Sequence, residues 1–243
     1  MTSDLLNSPE HGSTLPVESR LALPPDDRIA ARLRGFGPDG LLAILVIVLA
    51  DAVVKPLSAI LVLAWAWRSH TPWREIGYVR PKSWIGSLAI GIAFGIAFKV
   101  LMKAIVMPLL GADPINRSYH YLVGNRAALP GMLFALIVGA GFGEETVFRG
   151  YLFERLGKLF GTGTAAKVSI VLLTSALFGL AHYSNQGLTG VEQATITGLV
   201  FGTIFAITGR IWMLMCAHAA FDLTALAIIY WNVEEGVAHL LSK

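Results

Sequence analysis

Long apolar segments separated by short polar loops dominate this chain from about residue 41 onward. A helix needs roughly 20 apolar residues to cross the hydrocarbon core of a membrane. The pattern predicts six such helices, at residues 41–67, 85–110, 130–153, 168–187, 191–208 and 211–231. We therefore expect an all-α protein, a polytopic integral membrane bundle of about six transmembrane helices.

The positions of lysine and arginine predict how this bundle is oriented. Loops 68–82 and 154–167 carry more Lys and Arg than loops 111–129 and 183–190. The positive-inside rule places the two basic loops in the cytoplasm. The N-terminal tail is also basic near Arg28 and should be cytoplasmic for the same reason.

The first apolar segment conflicts with that orientation. If residues 41–67 crossed the membrane once, the basic N-terminal tail would lie outside. The segment is interrupted by Asp51, Lys55 and Pro56, so either the chain turns back there or the tail breaks the rule. Asp51 and Lys55 are four residues apart, which predicts an ion pair on one helix face and not a catalytic role.

Composition places the whole chain in the membrane class. It is 55% hydrophobic and 14% charged, with a mean hydropathy of +0.63, whereas soluble domains carry about a quarter charged residues. The net charge of +3 suggests no nucleic-acid partner. We expect a mobile polar N-terminal tail (1–38), a single transmembrane domain (39–233) and a short C-terminal tail (234–243). The expected location is the bacterial inner (cell) membrane, with the lipid bilayer as a partner and the oligomeric state left open.

The third predicted span carries three ionisable residues, Glu144, Glu145 and Arg149. Charged groups at membrane depth are costly and by default mark function. Glu145 and Arg149 are four residues apart, so they can pair on one face of a helix. Glu144 projects about 100° away from that face and is left free for chemistry.

Later spans add His182, His218 and Asp222 to this set. His218 and Asp222 are one helical turn apart on the same face. With Glu144 they supply a carboxylate that can act as a general base, two imidazoles and a second carboxyl group. That is enough for water activation and oxyanion stabilisation during amide hydrolysis. The predicted spans put Glu144 and His182 at depths that differ by about 8 Å, which tilt or a short helix must absorb.

Three motifs in this order resemble those of the CPBP family, the CAAX proteases and bacteriocin-processing enzymes, also called the Abi family. The motifs are Glu144-Glu145-x-x-x-Arg149, Phe178-x-x-x-His182 and His218-x-x-x-Asp222. The resemblance covers about residues 73–231, because the stretch that begins at Trp73 looks like the family's interfacial lead-in. It implies an intramembrane endopeptidase that cleaves a peptide or protein substrate near a membrane surface.

The resemblance also implies roles for the motif residues. Glu144 would activate water, with His182 assisting. Glu145 and Arg149 would hold the site together. The remaining two residues of the third motif would stabilise the oxyanion of the tetrahedral intermediate.

Asp222 departs from one form of the family pattern. The eukaryotic prenyl-protein proteases have Asn at the position that Asp222 occupies here. An ionised Asp cannot donate a hydrogen bond to an oxyanion. Asp222 must therefore be protonated, or it must instead orient His218 from one turn away.

We expect no cofactor, and zinc is the alternative. Members of the family have also been described as metalloproteases, and His182, His218 and Glu144 are possible zinc ligands. No His-Glu-x-x-His helix is present, which favours the metal-free glutamate mechanism. A non-catalytic membrane immunity or scaffolding protein is the alternative function, and a proton-coupled transporter is a weaker one. The complete polar set favours the protease, because a scaffold has little reason to bury these charges.

Overall fold

The computed structural model of the chain describes residues 25–240, and within that range it contains helices and loops but no strand. The predicted tails therefore lie partly outside the described residues, at 1–24 and 241–243. The helices are α1 Pro25–Arg34, α2 Pro38–Val53, α3 Lys55–Arg68, α4 Trp84–Leu109, α5 Arg126–Phe160, α6 Thr164–Ala181, α7 Tyr183–Thr208, α8 Trp212–Tyr230 and α9 Glu234–Ala238.

Five of these helices, α4 to α8, are long and apolar enough to cross a membrane. A sixth crossing is possible if α1 and α2, which meet at an angle of 63°, are counted as one bent span. The prediction of an all-α polytopic bundle with about six transmembrane helices is therefore confirmed. Helix α5 extends beyond the predicted span 130–153 at both ends.

The first apolar segment, residues 41–67, is divided between two helices, in agreement with the alternative in which the chain turns back. The chain leaves helical geometry at Val54, with φ −143° and ψ 91°, and α3 begins at the next residue. Pro56 lies in the first turn of α3, where its missing N–H and fixed φ suit a helix start. Helices α2 and α3 form a hairpin. The Trp65 indole, near the end of α3, donates to the carbonyl of Leu33, which precedes α2, at 3.1 Å.

This hairpin resolves the conflict over orientation. The chain before the hairpin and the chain after it both contact the C-terminal part of α5, at one end of the bundle. There the buried Arg155 guanidinium donates to the Arg34 carbonyl at 2.9 Å. Lys158 and Glu75 form an ion pair of 2.8 Å at the same end. We call this the basic end. The first apolar segment turns back, so α1 and the loop 68–82 lie at the same end of the bundle.

Glycines allow two pairs of helices to approach closely. A Cβ at Gly91 of α4 would lie 2.6 Å from the Met213 carbonyl oxygen of α8. A Cβ at Gly95, one turn further, would collide with the carbonyl oxygen of Ala217. Helices α4 and α8 therefore run parallel in close contact. A Cβ at Gly198 of α7 would likewise lie 2.9 Å from the α6 backbone. Glycines therefore mark both the α4–α8 and the α6–α7 interfaces.

Helix α5 departs from regular α-helical hydrogen bonding along the segments Ala135–Glu144 and Thr146–Tyr151, which have the wider π type. It is held between the hairpin and α8 by close backbone contacts. A Cβ at Gly143 would lie 3.0 Å from the Lys55 carbonyl oxygen, and one at Gly141 would lie 3.0 Å from that of Met215. Segments of π-helix occur frequently at functional sites.

Candidate active site

A cavity of about 270 Å³ lies between α5, α6, α7 and α8, and we call it the inner cavity. Four of the six predicted site residues line it, and two lysines that were not predicted to belong to the site do so too. These residues are Glu144, His182, His218, Asp222, Lys55 and Lys99. Glu145 and Arg149 lie behind them and are buried.

The inner cavity extends away from the basic end. Its other lining residues include Asn116 and Tyr119 of the α4–α5 loop, Met132 early in α5 and Ile229 late in α8. Helix α5 reaches the basic end only near its C-terminus, where Arg155 lies, so these residues belong to the opposite end. The cavity therefore communicates with the bundle end that is poor in Lys and Arg.

The predicted depth mismatch between Glu144 and His182 is largely absent. Glu144 lies 16 residues before the end of α5, and His182 lies 18 residues after the start of α6. The two helices join at residues 160–164, so their levels differ by about 3 Å at α-helical rise. The depth difference expected from the sequence was too large because α5 ends after its predicted span and α6 begins before its own.

Glu145 binds two partners through one oxygen. Its Oε1 accepts from Arg149 Nη1 at 2.8 Å and lies 2.7 Å from His218 Nδ1. The predicted Glu145–Arg149 ion pair is thus present. The Arg149 guanidinium also lies against the rings of Phe178 and Phe201, 4.7 and 5.6 Å from their centroids. These contacts explain how a buried arginine is accommodated.

The bond to Glu145 defines the orientation of His218. An ionised carboxylate only accepts hydrogen bonds, so Nδ1 of His218 carries the proton. The other ring nitrogen, Nε2, lies 3.5 Å from Glu144 Oε2 and 3.6 Å from Asp222 Oδ2. Glu145 therefore positions this imidazole through Nδ1, and Asp222 lies near the ring nitrogen on the opposite side.

Glu144 has a partner that the sequence did not predict. The Lys55 ammonium donates to Glu144 Oε1, so Glu144, which is free of Arg149 as expected, pairs with a cation from another helix. Glu144 is only 2% exposed, and its other oxygen, Oε2, has no hydrogen-bond partner among the described residues. One oxygen is thus held by a cation while the other remains available.

The hairpin places Lys55 beside Glu144. Because the helix breaks at Val54, Lys55 does not make the predicted ion pair with Asp51, which accepts from the Ser58 hydroxyl at 2.8 Å. Lys55 and Glu144 are 89 residues apart in sequence, so helical spacing gave no indication of the contact. The sequence feature that pointed to Lys55 was its position next to Pro56 inside an apolar segment, where a charged residue usually marks a functional site.

His182 ends α6 and is half-buried at the edge of the cavity. Its Nδ1 lies 2.8 Å from the carbonyl oxygen of Phe178, and a carbonyl only accepts, so Nδ1 is the donor. The neutral ring therefore presents Nε2 as an acceptor. The Phe178 ring packs edge-on against the imidazole, with centroids 4.7 Å apart.

The interfacial segment before α4 is hydrogen-bonded to α5 next to the site. Thr146 donates to the carbonyl of Phe142 at 2.6 Å and accepts from the Tyr78 hydroxyl at 2.7 Å. Burial raises the pKa of Tyr78 to about 12, so its hydroxyl stays protonated and remains a donor. Tyr78 thereby anchors the segment that begins at Trp73 to α5, next to the two glutamates.

The residues of the zinc alternative are His182, His218 and Glu144. Within residues 25–240 no three His, Cys, Asp or Glu side chains converge as a group that could hold a metal ion. Nδ1 of His218 is bound to Glu145, and Nδ1 of His182 is bound to a backbone carbonyl. These bonds leave Nε2 of each imidazole as the nitrogen that faces a ligand.

The fold and site define a class, that of polytopic membrane proteins with a buried glutamate–histidine cluster. Residues 126–224 match the family described as Rce1-like, type II CAAX prenyl endopeptidase Rce1-like. This segment contains all six predicted site residues, and the match supports the resemblance to CAAX proteases that the motifs indicated. The chain matches no curated protein and no solved structure.

Replacing Arg149 should destabilise the fold. Arg149→Ala leaves the Glu145 carboxylate buried without its cation, which costs on the order of 3–5 kcal/mol. We expect a lower unfolding temperature and folded yield in detergent. Arg126→Ala, at an exposed position at the start of the same helix, is the control. Equal unfolding temperatures for the two variants would contradict the structural role of the pair.

Replacing Lys55 should impair any reaction that uses Glu144. Lys55→Met removes the cation that stabilises the ionised carboxylate, so we expect kcat to fall about tenfold or more, less than for loss of the base itself. KM should change little, and Lys55→Arg should retain much of the rate. Lys82→Met, in the exposed basic loop, is the control. An unchanged kcat in Lys55→Met would show that the contact is dispensable.

Proposed function

We propose that this protein is an intramembrane endopeptidase that hydrolyses peptide bonds of membrane-associated substrates with a water activated by Glu144. The observation that carries the proposal is the Glu144 carboxylate, which is buried at the inner cavity. Its Oε1 is held by Lys55, and its Oε2 has no hydrogen-bond partner among residues 25–240. A general base must be ionised and must face the water it deprotonates. The family match supports the coarser function, a CAAX-type membrane protease.

In the proposed reaction, Glu144 Oε2 takes a proton from water as the water oxygen attacks the peptide carbonyl carbon. His182 assists by accepting a hydrogen bond from the same water at its free Nε2. When the C–N bond breaks, Glu144 returns the proton to the leaving amine. Lys55 keeps Oε1 in place throughout and favours the ionised carboxylate before each cycle.

The proposed oxyanion donors are His218 and Asp222. Because Nδ1 of His218 donates to Glu145, Nε2 can donate to an oxyanion only when the ring carries a second proton. The adjacent Glu145 carboxylate stabilises that charged ring. Asp222 lies near the same nitrogen and contributes as a donor in its protonated form, the first of the two roles considered from the sequence.

We also propose an orientation for the site in the membrane. The positive-inside rule places the basic end, with Arg34 and Arg155, in the cytoplasm. The inner cavity extends to the opposite end, so the substrate would approach from the non-cytoplasmic side. The proposed substrate is a peptide at the membrane surface, with or without a prenyl group. The proposed location is a bacterial cell membrane.

Removing the base should abolish most of the activity. Glu144→Gln keeps the size and the hydrogen bond from Lys55 but cannot accept a proton, so hydrolysis should fall by about 10²–10⁴-fold. The assay uses the purified protein in detergent and a fluorogenic farnesylated CAAX peptide. Comparison of the membrane proteomes of cells producing each form then identifies natural substrates.

The control for this assay is Glu235→Gln, which alters an exposed carboxylate at the start of α9. Activity should also survive exhaustive chelation. Loss on chelation with recovery on adding zinc would favour the zinc-dependent alternative. Cleavage by Glu144→Gln at the wild-type rate would leave a non-catalytic scaffold as the better description.

Cysteine labelling in whole cells tests the orientation. In a Cys216→Ala background, Arg117→Cys lies in the loop next to the cavities, and Arg80→Cys lies in the basic loop, both exposed. A membrane-impermeant maleimide should label the first in spheroplasts and the second only after lysis, because the proposed orientation exposes only the first outside. The reverse labelling would place the cavity opening in the cytoplasm.

A further inference from the structure

Lys99 of α4 is a buried cation without an ion-pair partner. Its side chain is only 6% exposed, its ammonium donates to Gln193 Oε1 at 2.9 Å, and it lies 4.8 Å from the centroid of the Phe221 ring. Among residues 25–240, no carboxylate lies within 4.0 Å of it. By contrast Lys103, one turn along the helix, pairs with Glu234 at 3.1 Å.

Lys99 lies where two cavities meet. The inner cavity adjoins a second cavity of about 250 Å³, the outer cavity, which is lined by Lys103, Asp113 and other residues near the loop after α4. Lys99 and Gln193 line both cavities, so their hydrogen bond stands at the boundary between them. A ligand in the inner cavity can therefore reach this ammonium.

A buried, unpaired charge is costly at membrane depth, and such charges are normally compensated. Asp222 lines the same cavity, but it lies beyond ion-pair distance of Lys99 and beside His218. Lys99 thus offers a charge-assisted donor that no described side chain neutralises. The chemistry that it would recognise is a carboxylate.

We propose that Lys99 binds the free C-terminal carboxylate of the peptide on the leaving-group side of the scissile bond. This inference rests on the proposed endopeptidase function. The description of the matched family names the CAAX box, a motif found at the C-terminus of proteins.

The spacing suits a short C-terminal peptide. Lys99 lies against Phe221, and Phe221 is three residues beyond His218 on α8, a rise of about 4.5 Å. Three extended residues span about 10 Å. A peptide whose scissile carbonyl lies near His218 can therefore place a carboxylate near Lys99.

Peptide binding to protein inactivated by Glu144→Gln tests the inference without consuming the ligand. Two fluorescent farnesylated CAAX peptides are compared by anisotropy, identical except that one ends in a carboxylate and the other in an amide. The carboxylate peptide should bind about tenfold more tightly or better, the worth of one charge-assisted hydrogen bond. Adding Lys99→Met should remove this preference by weakening only the carboxylate peptide.

Lys82→Met is the control, because it removes an exposed lysine that lines neither cavity. That variant should keep the preference for the carboxylate peptide. Lys99→Met removes an unpaired buried charge, so it should fold at least as well as the parent protein.

Two outcomes would overturn the inference. One is equal affinity for the two peptides before Lys99 is changed, and the other is a preference that survives Lys99→Met. Cleavage of the carboxylate peptide by the wild-type protein is measured separately. Binding with the expected preference but without cleavage would count against the endopeptidase function and leave the carboxylate site standing.

Discussion

Burial of ionised groups inside a membrane bundle is the constraint on which this site depends. Charges at that depth must be compensated by neighbours. Glu145 meets this requirement for two residues at once, because its Oε1 lies 2.8 Å from Arg149 and 2.7 Å from His218. The arginine in turn rests on aromatic rings of α6 and α7. One carboxylate therefore joins four helices, α5 to α8, and the geometry around the cavity follows from its position.

The second requirement is close approach of the α5 backbone to the neighbouring helices, which glycines of α5 allow. Gly143 faces the carbonyl of Lys55, and Gly141 faces that of Met215. With these contacts α5 lies between the hairpin and α8, so the Lys55 ammonium and the His218 imidazole reach Glu144 from two directions. The polar hairpin turn at Val54 is tolerated at this depth because its backbone is satisfied locally, for example by the bond from the Val54 N–H to the Ala50 carbonyl.

The apolar pattern predicted the five long spans well, since membrane length and hydropathy largely determine them. It also predicted the Glu145–Arg149 pair, which depends on local helical spacing. It could not predict the Lys55–Glu144 contact, which joins residues far apart in sequence, nor the π hydrogen bonding of α5, which depends on packing. A turn before Pro56 was one of two alternatives, and the pattern could not choose between them because a turn and a kinked span share the same residues. Asp222 was expected beside His218 and lies there, yet Glu145 supplies the orienting bond.

The hairpin has a consequence for how the protein is made. Lys55 and Glu144 are 89 residues apart, so at a synthesis rate of about 5–20 residues per second Lys55 emerges from the ribosome about 4–18 s before its partner. During that interval its ammonium has no carboxylate from α5 and is stable only near water. We therefore expect the hairpin to reach its final depth only after α5 has inserted, which links membrane insertion to formation of the glutamate site.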